Sequence, residues 1–322
     1  MKGITTEVFK AATQSAVHGS YVTLFGERYY RIHNYDAMPP FFMIIVSSSD
    51  VWNYIWSNGA LTAGRINSDK AIFPYYTADK VYDGQSFTGS YTAISVPSPE
   101  GTWLWEPFSE SQKGLWSIER NLYKNDTGSK IYFEEINKDL NIAFMYGWTS
   151  SDAFGLVRES KITNLGPKPI QLSILDGCRN ILPACITSVF QNDNSVLLDA
   201  YKKTDLLQDA GIAVFSVTSI ISDKAEPSEA LLANVSWFSV PGELCLSPAA
   251  PAFFRKGQSI PVVHTVKGER PAFFIKNDYE LAPSNGTESW YQVFNTSLDS
   301  GAISDLAHVI SNRTQALSLL EK

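Results

Sequence analysis

Cysteine is scarce in this 322-residue chain: Cys178, Cys185 and Cys245 stand at spacings that fit neither a zinc site nor a redox pair. Three such thiols read as buried and reduced. Histidine is nearly as rare, and His18, His33, His264 and His308 never stand four residues apart or beside a cysteine, so no metal is expected. No cofactor motif is present either. There is no Gly-x-Ser-x-Gly elbow and no Gly-x4-Gly-Lys-Ser/Thr loop, which excludes those nucleophile and phosphate-binding signatures. No apolar run approaches the roughly 20 residues that a membrane helix needs. Residues 1–20 lack a basic start followed by an apolar stretch, so no signal peptide is expected. The chain therefore reads as cytoplasmic with no membrane partner, and the Asn-x-Ser/Thr triplets at Asn125, Asn234, Asn285, Asn295 and Asn312 read as chance. Positive charge is in deficit: 26 Lys and Arg against 33 Asp and Glu leave a net −7, with basic residues scattered. Such a surface repels phosphate backbones, and no nucleic-acid partner is expected.

What the chain holds in quantity is aromatic residues, 13% of the total with 8 Trp and 15 Tyr. Aromatic and β-branched side chains suit half-buried pleated surfaces. The run Phe41-Phe42-Met43-Ile44-Ile45-Val46 reads as a strand covered on both faces. Residues 51–57 read as a second strand, stopped by Asn58-Gly59, a pair that favours positive φ at both turn positions. Tyr91, Ala93 and Ser95 alternate with Thr92, Ile94 and Val96. Further strands are expected at 131–136, 142–148 and 154–163, and at 170–175 after the Gly166-Pro167-Lys168-Pro169 turn. Four more follow at 211–220, 234–240, 271–275 and 290–296. Residues 192–208 read either as a short helix or as a long covering loop. Ile303, Leu306, Ala307, Ile310, Thr314, Leu317 and Leu320 follow a 3.6-residue period, so 302–321 is expected as one amphipathic helix capped by Asp299 or Ser300. The fold class is thus mainly β and antiparallel. Residues 1–298 form the β-domain, and 299–322 a helix that either folds back or leads into a further domain.

Chemistry-bearing patterns are few. Glu134 and Glu135 are adjacent on a strand and point to opposite faces, so they cannot act as a pair. Glu106, Glu159 and Asp176 are isolated, and each reads as a solvated or salt-bridged carboxylate. Two aromatic segments stand out. One joins Arg65 to Phe73, Tyr75 and Tyr76; the other is Gly101-Thr102-Trp103-Leu104-Trp105-Glu106-Pro107-Phe108, with Trp103 and Trp105 on one strand face and Glu106 on the other. Aromatic rings stack on sugar rings and flanking Arg or Glu can bond hydroxyls, while simple packing is the competing account. Arg65, Tyr75, Tyr76, Trp103, Trp105 and Glu106 are accordingly the candidates for carbohydrate or interdomain contact, and no catalytic residue is assigned. A mutarotase-like acid–base pair using His33 or His264 with a carboxylate is the alternative.

The order of features carries a resemblance. Ser57-Asn58-Gly59, Arg65 and Phe73-Pro74-Tyr75-Tyr76 precede the Trp-rich turn at 103–107. Phe154-Gly155-Leu156-Val157-Arg158, Lys161-Ile162-Thr163-Asn164 and the strand at 170–176 follow. This pattern, over most of residues 20–320, resembles the N-terminal β-domain of cellobiose-phosphorylase-like and cyclic β-glucan synthase-like enzymes. The resemblance implies a two-sheet super-sandwich of galactose-mutarotase type, followed by a linker helix and a helical barrel that carries the catalytic groups. It also implies a non-catalytic domain that packs on the barrel of a glycoside phosphorylase or glycosidase. The implied partners are an oligosaccharide, with β-glucan among the candidates, and a C-terminal catalytic domain; homodimerisation is open. A stand-alone epimerase and a scaffold without glycan affinity are the alternatives.

Overall fold

The computed structural model describes residues 16–218 and 232–320. The last positions of the expected 211–220 strand and the last position of the expected terminal helix lie outside them. The first strands are β1 (His18–Leu24), β2 (Glu27–His33), β3 (Phe42–Ile45), β4 (Val51–Trp56), β5 (Leu61–Arg65), β6 (Gly89–Ser98) and β7 (Gly101–Trp105). A meander follows: β8 (Ile118–Asn125), β9 (Ile131–Asn137), β10 (Ile142–Ser151), β11 (Gly155–Asn164) and β12 (Ile170–Arg179). The chain then forms β13 (Lys202–Leu207), β14 (Ile212–Val217), β15 (Ala233–Phe238), β16 (Glu243–Cys245), β17 (Thr265–Lys267), β18 (Ala272–Leu281) and β19 (Gly286–Leu298). The α-helices are α1 (Ala78–Asp83), α2 (Ser188–Asp199), α3 (Ala250–Arg255), α4 (Ser300–Ser311) and α5 (Arg313–Leu320).

The fold is mainly β, as expected. Eleven strands form one sheet in the order β1-β2-β8-β9-β10-β11-β19-β15-β14-β13-β17. The facing layer is divided in two: a five-stranded sheet, β16-β18-β12-β6-β7, and a three-stranded one, β3-β4-β5. One continuous core draws side chains from all three sheets, among them Ile55 and Ala63, Ile94 and Ile174, Phe144 and Phe294. The alternation of each strand then sends the next residues to the outer faces. Val157, Trp237 and Val293 of the large sheet meet Leu306, Ala307 and Ile310 of α4, while Leu175 and Phe274 of the five-stranded sheet share a cluster with Phe254 of α3.

Several expectations need correction. The apolar run at 41–46 is not covered on both faces. Strand β3 is an edge of the small sheet, and Phe42, Ile44 and Val46 remain 40–51% exposed. At the Asn58-Gly59 turn only Gly59 takes a positive φ, of 88°. Asn58 instead accepts the Ala60 N–H through its side chain. Residues 192–208 are neither a short helix alone nor a loop: α2, non-helical at Ser195, leads into β13. The terminal helix is two helices. Asp299 caps the first by accepting the Ala302 N–H at 2.8 Å. The helix breaks at Asn312, whose side chain accepts the Gln315 N–H and so opens a second helix.

Candidate functional site

Strand β7 ends at Trp105, opposite Ile94 of β6. The first part of β6 therefore has a strand neighbour, β12, on one side only. Beside this unpaired edge opens a cavity of about 250 Å³, lined by Tyr91, Glu106, Phe108, Tyr146, Arg179 and Arg255, with Asn58 and Gly59 at its margin. A second cavity of about 520 Å³ adjoins it and shares Asn58, Gln85, Ser86, Phe108 and Glu110. Together they reach the size range of small-molecule sites, roughly 300–1,000 Å³. Gly59 belongs here for two reasons. Its φ lies in the left-handed region, and a Cβ at that position would sit 2.8 Å from the Tyr146 hydroxyl.

Charge in the cavity is unevenly matched. The Glu106 carboxylate is buried, and one oxygen accepts the Tyr91 hydroxyl, Arg255 Nε at 2.8 Å and Arg255 Nη2 at 2.7 Å. Burial first, then this carboxylate, pushes the Tyr91 pKa far above the ordinary phenol value, so the ring keeps its proton. Glu110 pairs with Arg120 at 3.1 Å and Lys113 at 3.5 Å. Arg179 differs. Its guanidinium stands 4.9 Å over the Tyr91 ring, while Arg255 stands 5.5 Å over the same ring. Its Nε is buried and has no hydrogen-bond partner among the described residues. Burial lowers the pKa of Arg179 from the ordinary guanidinium value, and the nearby Glu106 carboxylate, bonded to Arg255 instead, offsets that only in part.

The wall behind is rigid. Phe108 holds φ at 64°, unusual for a bulky residue, while its N–H donates to Glu135 at 2.7 Å and its ring packs edge-on to Tyr146 at 5.2 Å. Glu135 also accepts Trp105 Nε1 at 2.8 Å and Arg120 Nε at 2.7 Å. Deeper still, the inter-sheet pair Arg158–Asp176 is wholly enclosed. The cavity is thus a shaped mouth backed by the bonded groups of Glu135 and of the Arg158–Asp176 pair.

The sequence candidates are scattered by the fold. Glu106 lines the cavity. Trp105 is 0% exposed and spends its N–H on Glu135, so its ring packs and cannot stack on a ligand; Trp103, two residues earlier, is 44% exposed. Arg65 binds Asp50 at 2.7 Å and Asn295 at 2.9 Å. Tyr75 meets Trp52 edge-on, and the Tyr76 hydroxyl accepts from Gln191 in a separate cavity with Lys202 and Arg270. Neither histidine candidate lines the mouth. His33 contacts Asn121 at 2.8 Å and Glu119 at 3.3 Å on β8, and the His264 carbonyl accepts the Leu206 N–H. The residues missed by sequence reading are Arg179 and Arg255. The signal was slight: Arg179 ends the strand-like stretch 170–178, and Arg255 follows the apolar pair Phe253-Phe254.

Among the described residues no three His, Cys, Asp or Glu side chains approach as a metal-ligating group, and no helix is long and apolar enough to cross a membrane.

No family model matches the sequence, and no curated protein matches it. Solved structures with a similar strand arrangement include the Slr1438 protein of Synechocystis, 10% identical, covering 81% of this chain and 97% of that one, with a TM-score of 0.40. A bacterial glucoamylase complexed with acarbose is 8% identical, with a TM-score of 0.40; the match covers 88% of this chain and 37% of the glucoamylase. A Klebsiella pneumoniae protein whose assignment as an aldose 1-epimerase is itself provisional is 8% identical, covering 92% and 91%, with a TM-score of 0.34. Superpositions this loose carry no functional inference.

Proposed function

We propose that the chain is a carbohydrate-recognition β-domain, non-catalytic by itself, that works with the catalytic domain of a glycoside phosphorylase or glycosidase. The single observation that carries this reading is the composition of the mouth. Two aromatic rings, Tyr91 and Phe108, stand with Glu106, Arg179 and Arg255 around one cavity, and such groups match the apolar faces and hydroxyls of a sugar. One oxygen of the Glu106 carboxylate is already engaged by the Tyr91 hydroxyl and, in an ion pair, by the Arg255 guanidinium, which favours binding over chemistry. Trp103 and Tyr75, with exposed rings, are secondary contacts in this reading. The half-exposed Phe42, Ile44 and Val46 are the surface on which a partner domain would pack.

Calorimetric titration of the chain with mono- and oligosaccharides tests the reading. Saturable binding that Arg255→Ala weakens about tenfold or more is the expected result, on the scale of one charged hydrogen-bond partner. Absence of binding across neutral and charged sugars overturns it. Polarimetry on α-glucose and α-galactose separates the epimerase alternative, since anomer interconversion above the spontaneous rate would make the chain an enzyme.

A further inference from the structure

Resting on that reading, we infer that the sugar taken by the mouth carries an anionic group, a carboxylate or a phosphate, and that Arg179 is the residue that receives it. Every other charged side chain of the first cavity has a partner. Glu106 is held by Arg255 and Tyr91, and Glu110 by Arg120 and Lys113. Arg179 makes no ion-pair contact among the described residues: its Nε has no hydrogen-bond partner, and beyond the Tyr91 ring its charge is offset only by the field of Glu106, which is already held by Arg255.

A cation in this position is costly. It is largely withdrawn from water, and Arg255 over the same ring adds like-charge repulsion. A guanidinium kept so is explained when an anion completes it, because its fork of donors matches a carboxylate or phosphate in two parallel bonds. Geometry agrees. The β12 register ends at Arg179 opposite Gly89, where the side chain faces the space left by the short β7. Ser86 and Gln85 line the same space and offer neutral hydrogen-bonding groups that add no competing charge. The Glu106 and Glu110 carboxylates also line it. Their pairing with arginine and lysine leaves the approach to Arg179 free of net negative charge. The anion therefore sits on Arg179, and the uncharged part of the ring lies toward Phe108.

Calorimetry with D-glucuronate, D-galacturonate, glucose 6-phosphate, glucose and galactose tests this at low ionic strength. At least one anionic sugar should bind about tenfold or more tightly than its neutral counterpart, as one charge-assisted contact supplies. Arg179→Gln should reduce that ratio to within about twofold, and Arg179→Lys should keep part of it because the charge remains. Circular dichroism on both variants reports that the fold persists. Preference for uronates over the sugar phosphate, or the reverse, identifies which anion the site takes. Neutral sugars that bind as tightly as the charged ones would overturn the inference and leave the carbohydrate reading standing. An anion preference untouched by Arg179→Gln would overturn it too. If no sugar of either kind binds, both fall.

Discussion

Arg158 on β11 and Asp176 on β12 form a two-point ion pair, 2.7 and 2.8 Å, that joins the large sheet to the five-stranded one with no exposed surface on either side chain. Asp176 also accepts from Thr92, Ser160 and Trp290, so each carboxylate oxygen is fully used. A pair enclosed this way stabilises little against apolar neighbours, yet is expensive to break from one side, because the remaining charge is stranded. Asp176→Ala should lower unfolding free energy by about 3–5 kcal/mol. The double variant Arg158→Met/Asp176→Leu should recover much of that. Urea denaturation measures both, and a single-variant loss below about 1 kcal/mol would show that water reaches the pair.

Arg179 presents the opposite case, a half-buried guanidinium whose Nε has no hydrogen-bond partner and which forms no ion pair among the described residues. Replacing it with Met keeps the stem volume and removes the desolvated charge. Arg179→Met should therefore stabilise the unliganded chain, by on the order of 1 kcal/mol, as expected where a binding group is held at a cost to the fold. A destabilised variant would mean that Arg179 supports the structure through a partner formed in solution.

The thiols should divide sharply by reactivity. Burial pushes Cys178 and Cys245 up to about 12, whereas Cys185 is exposed. At pH 8 the two buried groups are almost wholly protonated, and the thiolate is the reactive form. A chromogenic disulfide reagent should titrate one thiol in the native chain and all three in denaturant. A second fast native thiol would contradict the burial of one of the pair.

How much of this was legible depended on range. The strands of the meander showed in alternation alone, since Ile170, Leu172 and Ile174 already divide from Gln171 and Ser173 at period two. The run at 41–46 misled because continuous hydrophobicity marks burial on both faces only where neighbours exist, and β3 is an edge. The helix break at Asn312 was hidden because the apolar period continues across it while a local side-chain bond resets the backbone. Within the mouth, Glu106 was visible beside its tryptophans. Arg179 and Arg255 were not, because their meeting over Tyr91 depends on where β7 stops and how α3 folds back, which no local spacing encodes.

The capping of α4 gives a local test of the terminal helices. Asp299 accepts the Ala302 N–H, and Leu306, Ala307 and Ile310 pack against the outer face of the large sheet. Asp299→Ala should cost about 1 kcal/mol, the usual loss of a side-chain cap. Proteolysis near residue 312 should accelerate in parallel if the two helices are held chiefly by this docking. Unchanged cleavage would place their anchorage on α5.

A pH experiment isolates one further group. Burial raises the Glu159 carboxyl above its ordinary value, and the Tyr132 hydroxyl at 2.7 Å, with Lys161 and Lys130, offsets that only in part. The folded state thus holds this proton more tightly than the unfolded chain. Its contribution to stability is complete below the unfolded value of 4.5 and is lost as pH rises through the folded one. Glu159→Gln, which keeps an acceptor for Tyr132 and carries no charge, should be more stable than the wild type at pH 7. That advantage should shrink as pH falls and vanish once both states of the wild type are protonated. A gain that persists unchanged at acid pH would trace the effect to packing; a loss at pH 7 would mean that the lysines outweigh burial.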